Sequence, residues 1–299
     1  LPTVFLGTSE FAATVLARLA AEPRHRPALV LTRPDRPRGR GRRLASPPVA
    51  DLARELGIPL DQPDSVNSDP ARERISGLGP VTIVVCAFGA LIKEPLLSEH
   101  DILNVHPSLL PRWRGAAPVE RAIMAGDERT GVSIMRLTAG LDSGPVCLTA
   151  SEPIAGGDTY GTLAPRLARL GGELLLRALD EAPAFHDQPE EGVTYAEKIS
   201  PEDRLLDPSL TAAQLERVVR ALHPHIGARL ALGEGEWLGV LTAAAVAGGP
   251  QPGALADSDG RLLFGTRDGA LELLTVQPPG GRAMDASAYL RGHPLGHAG

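Results

Sequence analysis

A chain of 299 residues, 43% hydrophobic and 22% charged, is long enough to bury two cores and too apolar to remain disordered. Its formal net charge of −6 excludes a protein that coats nucleic acid by bulk charge, although a total can hide a local patch. The longest uncharged apolar stretch, Val81 to Ile92, has 12 residues, short of the roughly 18 needed to span a bilayer, so no membrane partner is expected.

The opening LPTVFLG enters a strand at once, without a basic segment, apolar run and small-residue cleavage site, which sets the expectation of a cytoplasmic protein. That strand, Thr3 to Gly7, continues as GTSEF and not as GxGxxG, so the dinucleotide fingerprint is missing. Thr8 or Ser9 is placed to cap a helix over Phe11 to Ala21. A second strand, Ala28 to Thr32, leads into TRPDRPRGRGRRLASPPV, where six arginines (Arg33, Arg36, Arg38, Arg40, Arg42, Arg43) stand against one acid, Asp35. Pro34 and Pro37 break helix there, Gly39 and Gly41 give freedom, and closely spaced arginines offer several forked donors to phosphates.

A helix over Pro47 to Leu56 follows, then strands at Val81 to Ala87 and Ile102 to His106, a helix at Val119 to Ala125 and a strand at Val132 to Leu137. A long helix from about Thr159 to Leu179 ends the series, with Pro165 expected at an early turn and not in its interior. This alternation predicts an α/β fold: a Rossmann-like, mostly parallel sheet with helices on both faces, and ligands outside the carboxyl ends of the strands. Cys86 and Cys147 each sit inside an apolar run, far apart, and supply neither a CxxC metal pattern nor a disulfide framework.

From Ala182 to Pro208 the chain turns rich in Pro, Glu, Asp and Gln, as a linker does. One amphipathic helix, Thr211 to Leu222, precedes short apolar runs separated by turn residues, the pattern of a small antiparallel β-barrel. The expected organisation is a catalytic domain over 1–182, a linker over 183–208 and a barrel domain over 209–299.

The chemistry-bearing candidates lie in ILNVHPSLLP, where Asn104 and His106, two apart on a strand, point to one face. An amide donor and an imidazole suit acyl-type transfer to an amine, in which an oxygen becomes negative while nitrogens lose and gain protons. Asp142, in TAGLDSGP and 36 residues after His106, is the candidate partner for the imidazole. Its spacing accommodates a loop, a helix and a strand, which would return the chain to the same end of a parallel sheet. The residues alone also fit a purely structural set: an amide serving backbone groups, a strand-end histidine and a turn aspartate.

The stretch NVHPSLLPRWRGAAPVERAIMAGDERTGVSIMRLTAGLDSGPV resembles the signature region of the folate-dependent formyltransferases. The resemblance implies that Asn104, His106 and Asp142 form the catalytic set and that Ser108, Leu109, Leu110 and Pro111 border a reduced-folate site. CAFGALI is similar to the family's pterin-holding strand and loop, which assigns Phe88, Gly89, Ala90, Leu91 and Ile92 to that pocket. The arginine-rich stretch looks like the insertion by which the family's tRNA-acting members grip an acceptor stem. This implies Arg40 at the top of the stem and Arg36, Arg38, Arg42 and Arg43 at phosphates. Arg112, Trp113 and Arg114 then shape the amine entrance or serve structure alone.

Likeness continues through VTYAEKISPEDRLLD and SLTAAQLERVVRALHP, implying a carboxyl-terminal OB-like domain that contacts tRNA. Two departures stand out. HPHIGARL replaces the family's more usual asparagine, proline and tryptophan sequence, and from Arg204 onward eight arginines face nine acids with no lysine. The implied activity is formyl transfer from 10-formyltetrahydrofolate to the amino group of initiator methionyl-tRNA, in translation initiation, by a monomer without metal. A formyltransferase acting on an amino-sugar nucleotide or glycinamide ribonucleotide is the alternative, though the arginines would then lack a purpose. A catalytically dead RNA-binding protein of the same fold is a second.

Overall fold

The computed structural model describes residues 1–38, 43–233 and 235–295. In chain order the elements are β1 (Thr3–Gly7), α1 (Glu10–Ala20), β2 (Pro27–Leu31), β3 (Arg36–Arg38), β4 (Arg43–Ala45), α2 (Pro48–Glu55), β5 (Leu60–Asp61), α3 (Asp69–Ser76), β6 (Thr82–Cys86), α4 (Leu96–Glu99), β7 (Asp101–His106), β8 (Arg114–Gly115) and α5 (Pro118–Ala125). There follow β9 (Arg129–Arg136), β10 (Val146–Pro153), α6 (Tyr160–Glu181), β11 (Tyr195–Ala196), α7 (Ala212–Leu222), β12 (Ala228–Gly233), β13 (Glu236–Val246), β14 (Leu255–Ser258), β15 (Arg261–Gly265), β16 (Ala270–Gln277), β17 (Met284–Asp285) and α8 (Ala286–Gly292). They group into two compact units: Leu1–Gly115, Arg129–Pro153 and Ala164–Tyr195 make the first, and Ala116–Glu128, Ile154–Leu163 and Ala196–Gly299 the second.

The first unit is built on a seven-stranded sheet of order β10-β9-β7-β6-β1-β2-β5. Five neighbouring strands, β7 through β5, run parallel, as their continuous apolar sequences predict for strands buried on both faces. On one face Val4, Leu6, Leu29, Leu31, Ile83, Val85 and Ile102 pack with Ile75 of α3 and Leu96 of α4. On the other, α6 lies close enough that a Cβ added at Gly171 would stand 2.9 Å from Val105 Cγ1, and one at Gly172 2.9 Å from Arg18 Cβ. Each fully buried leucine or isoleucine contributes about 1.5–3 kcal/mol relative to its exposed state. Ser9 caps α1 by accepting from the Ala12 amide, and the helix buries Phe11, Val15, Leu16 and Leu19.

Two expectations require correction. β9 runs antiparallel to β7, with His106 opposite Ser133 and Leu103 opposite Arg136, so the strand before Asp142 ends beside the start of β7 and not at the shared carboxyl edge. The 137–145 loop must therefore fold back across the sheet face to carry Asp142 to His106. Pro165 lies in the interior of α6, toward its amino end, where an early turn clear of the interior was expected. There a proline forfeits a single helix hydrogen bond, while the remaining turns keep their buried face of Leu167, Leu174 and Leu175.

In the second unit an antiparallel sheet follows the path β12-β13-β16-β15-β14, with β17 on β16, and curls into a half-barrel. α7 packs against this sheet. Leu215, Val219 and Leu222, at helical spacing, pack on Leu230, Leu238, Val240, Leu262, Phe264, Leu271, Leu273 and Val276, with Tyr289 and Leu290 of α8 completing the core. Thr211 and Gln214 close a capping box at the start of α7, which fixes where this helix begins. Among the described residues no helix is long and apolar enough to cross a membrane, and no group of three or more His, Cys, Asp or Glu is placed to hold a metal ion.

Candidate active site

β7 delivers Asn104 and His106 to one sheet face at 8% and 4% exposure, two positions apart as the strand period demands. His106 is held at both ends of its ring. Nε2 lies 2.8 Å from the carbonyl oxygen of Trp113, and Nδ1 lies 3.6 Å from Asp142 Oδ2. A carbonyl only accepts, so Nε2 carries a proton, and the nitrogen with a lone pair in the neutral ring is Nδ1. The gap of 3.6 Å exceeds a hydrogen bond, which leaves Asp142 an electrostatic partner for the ring once Nδ1 gains a proton.

Asp142 meets both partners. Its Oδ1 accepts from Asn104 Nδ2 at 3.4 Å and its Oδ2 from the Gly115 amide at 2.9 Å. Asn104 Nδ2 has two hydrogens, so donation to Asp142 leaves the second for a further acceptor. The backbone of Asp142 is left-handed at φ 43°, an unfavourable conformation for a residue with a side chain, and Trp113 is left-handed at φ 64°. Close packing bends the Asp142 loop: a Cβ at Gly144 would lie 2.0 Å from the Arg136 carbonyl oxygen, so only glycine fits.

Residues of the 183–208 stretch support both strained positions. Gln188 Nε2 donates to the carbonyls of Asp142 and Gly144, both at 2.8 Å, and its Oε1 accepts from Arg114 Nε at 2.9 Å. Thr194 Oγ1 accepts from the Trp113 amide at 2.9 Å, and its carbonyl accepts from the Arg114 amide at 2.9 Å. An isolated glutamine in a proline-rich run carries no periodicity or motif, so pattern reading had no signal for it. Arg112 stacks its guanidinium 4.3 Å above the Trp113 ring.

The segment assigned to the pterin follows β6. Phe88 and Ile92 are buried in the core, whereas Leu91 is 68% exposed. Three side chains pin the backbone between them: Thr8 Oγ1 donates to the Phe88 carbonyl at 2.8 Å, Arg33 to Gly89 at 2.5 Å and Asn67 to Leu91 at 2.8 Å. Thr8 thus serves this segment, while Ser9 alone caps α1. Burial pushes the Cys86 thiol upward, so it stays a neutral core group. Ser108 is fully buried and donates to the Arg112 carbonyl at 2.6 Å, closing the turn that contains Leu109, Leu110 and Pro111.

In the arginine-rich stretch β3 and β4 pair antiparallel, Arg36 opposite Ala45 and Arg38 opposite Arg43. Arg36 is exposed; of Arg38 and Arg43 only the backbone is described, and Arg40 and Arg42 lie outside the described residues. At the base, Asp35 accepts from Gln62 Nε2 at 2.8 Å and from Ser46 at 3.1 Å, joining the residue before β3 to the residue after β4. Gln62, Ser46 and nearby Arg54 hold the Asp35 carboxyl below its ordinary value, against a smaller opposing effect of burial.

The family model described as Formyl transferase matches residues 2–179, and that described as Formyl transferase, C-terminal domain, matches residues 198–294. The chain belongs to the formyl transferase family. Among relatives of this formyl transferase, the methionyl-tRNA formyltransferase of Halorhodospira halophila is 45% identical over 98% of this chain and 96% of that protein. The enzyme of that name from Dechloromonas aromatica is 43% identical, again over 98% and 96%. The solved structure of a methionyl-tRNA formyltransferase from Clostridium thermocellum shares the fold with a TM-score of 0.59 at 14% identity, covering 82% of this formyl transferase and 94% of that chain.

Proposed function

We propose that this formyl transferase moves the formyl group of 10-formyltetrahydrofolate to the amino group of methionine on initiator tRNA, in translation initiation. The observation that carries the chemistry is the convergence of Asn104, His106 and Asp142, with Asp142 within 3.4 Å of the amide and 3.6 Å of the ring. Full-length relatives named for methionyl-tRNA support the acceptor over an amino-sugar nucleotide or glycinamide ribonucleotide.

The methionyl nitrogen attacks the formyl carbon, forming a new C–N bond and placing negative charge on the formyl oxygen. The free Asn104 Nδ2 hydrogen donates to that oxygen, from a residue only 8% exposed, where such a bond is little screened. His106 Nδ1 takes the proton that the attacking nitrogen must lose, and Asp142 balances the imidazolium. As the tetrahedral species collapses, the bond to the folate nitrogen breaks and that nitrogen receives a proton from the imidazolium. Atoms balance without a metal or a covalent enzyme intermediate.

Phe88 to Ile92 and Ser108 to Pro111 line the folate site in this reading, with the pinned backbone of the first segment giving a rigid wall. Arg36, Arg38, Arg42 and Arg43 take phosphates and Arg40 the top of the acceptor stem. Residues 1–182 carry catalysis, 183–208 connect, and 209–299 form the OB-like domain that contacts tRNA. The protein acts as a cytoplasmic monomer. Incubation with labelled formyl donor tests the assignment: label is expected on charged initiator tRNA and not on amino-sugar nucleotide or glycinamide ribonucleotide. Label on either small amine, with none on tRNA, would overturn it.

A further inference from the structure

Composition marks residues 183–208 as a linker, yet Gln188 reaches from it to the loop that carries Asp142. Its amide makes three hydrogen bonds, each of good length: two from Nε2 to the carbonyls of Asp142 and Gly144 at 2.8 Å, and one to Oε1 from Arg114 Nε at 2.9 Å. The orientation of this amide is unambiguous, because two carbonyls can face only the NH2 end and a guanidinium only the oxygen. Both Nε2 hydrogens are used.

The clamped residue is the strained one. Asp142 adopts φ 43°, which an aspartate holds only when its surroundings over-determine it. Its carboxylate is fixed at one end by the Gly115 amide, and its own carbonyl is fixed at the other by Gln188. Arg114 links the two anchors, since it precedes Gly115 and donates to Gln188. His186 reinforces the same stretch by exchanging backbone hydrogen bonds with Val146 at 2.8 and 3.0 Å, which sets Gln188 beside the loop's far end.

We infer that Gln188 is a positioning residue for formyl transfer, holding the Asp142 carboxylate in register with His106 and Asn104. The inference rests on the catalytic reading of Asp142 given above. Removing the clamp lets the 137–145 loop relax its left-handed turn and carries the carboxylate away from Nδ1. A displacement of about 1 Å at a reacting group can lower turnover about 10²-fold. Gln188 belongs to neither the proposed folate segments nor the arginine stretch, so the Michaelis constants for folate and tRNA should stay put.

The experiment is a double-mutant cycle on the full chain, read by single-turnover formyl transfer at saturating 10-formyltetrahydrofolate and charged initiator tRNA. Gln188→Glu replaces the donor that faces two carbonyls by an acceptor at nearly equal volume, and Gln188→Met supplies an independent variant of similar length. The proposal expects both to lower kcat by about ten- to a hundredfold with both Michaelis constants unchanged. In an Asp142→Asn background the same changes should add less than about twofold, the signature of two residues acting as one unit. Full additivity in that background, or normal kcat for both Gln188 variants, would overturn the positioning role while leaving Asp142 in place. Normal turnover of Asp142→Asn alone would instead remove the catalytic reading, and this inference with it. Rescue of kcat by Gln188→Asn, which retains a donor one methylene shorter, would count for the role if it exceeded Gln188→Met.

Discussion

The His106 ring donates its Nε2 proton to the carbonyl of Trp113 across 2.8 Å, and Trp113 is itself held in a left-handed backbone by Thr194. This bond selects the tautomer. In ¹⁵N-edited spectra of histidine-labelled protein, neutral His106 should show a protonated Nε2 and a pyridine-type Nδ1. The reverse pattern would mean that the basic nitrogen points away from Asp142.

Asn104 is 8% exposed and spends one amide hydrogen on Asp142, and the proposed mechanism gives the other to the developing oxyanion. Asn104→Ala should lower single-turnover formyl transfer by about 10²–10³-fold, as loss of an oxyanion donor does elsewhere. The Michaelis constant for tRNA should change little, because the proposed mechanism gives this amide to the formyl oxygen and not to the RNA. A large rise in that constant with normal turnover would assign Asn104 to binding.

Neutralising Arg38, Arg40 and Arg42 together should raise the Michaelis constant for tRNA and flatten its dependence on salt, because without the phosphate contacts of Arg38 and Arg42 fewer counterions are released on binding. Turnover at saturating tRNA should remain near normal. Unchanged tRNA kinetics across a salt series would take the arginine segment out of the interface.

The second unit contains an acid-sensitive tie. Arg121 of α5 grips Asp203 with two hydrogen bonds of 2.8 Å, and the Ser200 amide adds a third. Arg121 above all holds the Asp203 carboxyl below its ordinary 3.8. A carboxyl lowered in the folded state stabilises fully above its unfolded value and loses that contribution as pH falls through the folded value. Asp203→Asn should therefore cost about 1–2 kcal/mol at neutral pH, a figure kept modest because the pair is partly solvated. In urea melts the difference from the parent should shrink as pH drops below about 4; a difference constant with pH would rule out the charged pair as its source.

Much of this was legible in sequence because it depends on period and local chemistry. Buried β-branched runs announced β1, β2, β6 and β7, and the two-residue strand period placed Asn104 and His106 on one face without any coordinates. Direction was not legible. Nothing in VSIMRL distinguishes a strand parallel to β7 from the antiparallel β9, so spacing alone implies a return to the carboxyl edge, whereas Asp142 reaches 3.6 Å from His106 by a loop after a strand of opposite direction. Pro165 misled because helix-breaking tendencies are averages, which a long buried helix overrides. Gln188 and Thr194 were invisible for another reason: their hydrogen bonds join residues 46 and 81 positions apart, and composition reports only local neighbours.

In the proposed mechanism His106 Nδ1 is the proton acceptor, and His106→Ala tests that role most directly. Single-turnover formyl transfer from 10-formyltetrahydrofolate to charged initiator tRNA, both saturating, should fall by about 10²–10⁴-fold in a protein that unfolds at the parent temperature. A rate within about twofold of the parent, a difference of about 0.4 kcal/mol in barrier height, would contradict the assignment.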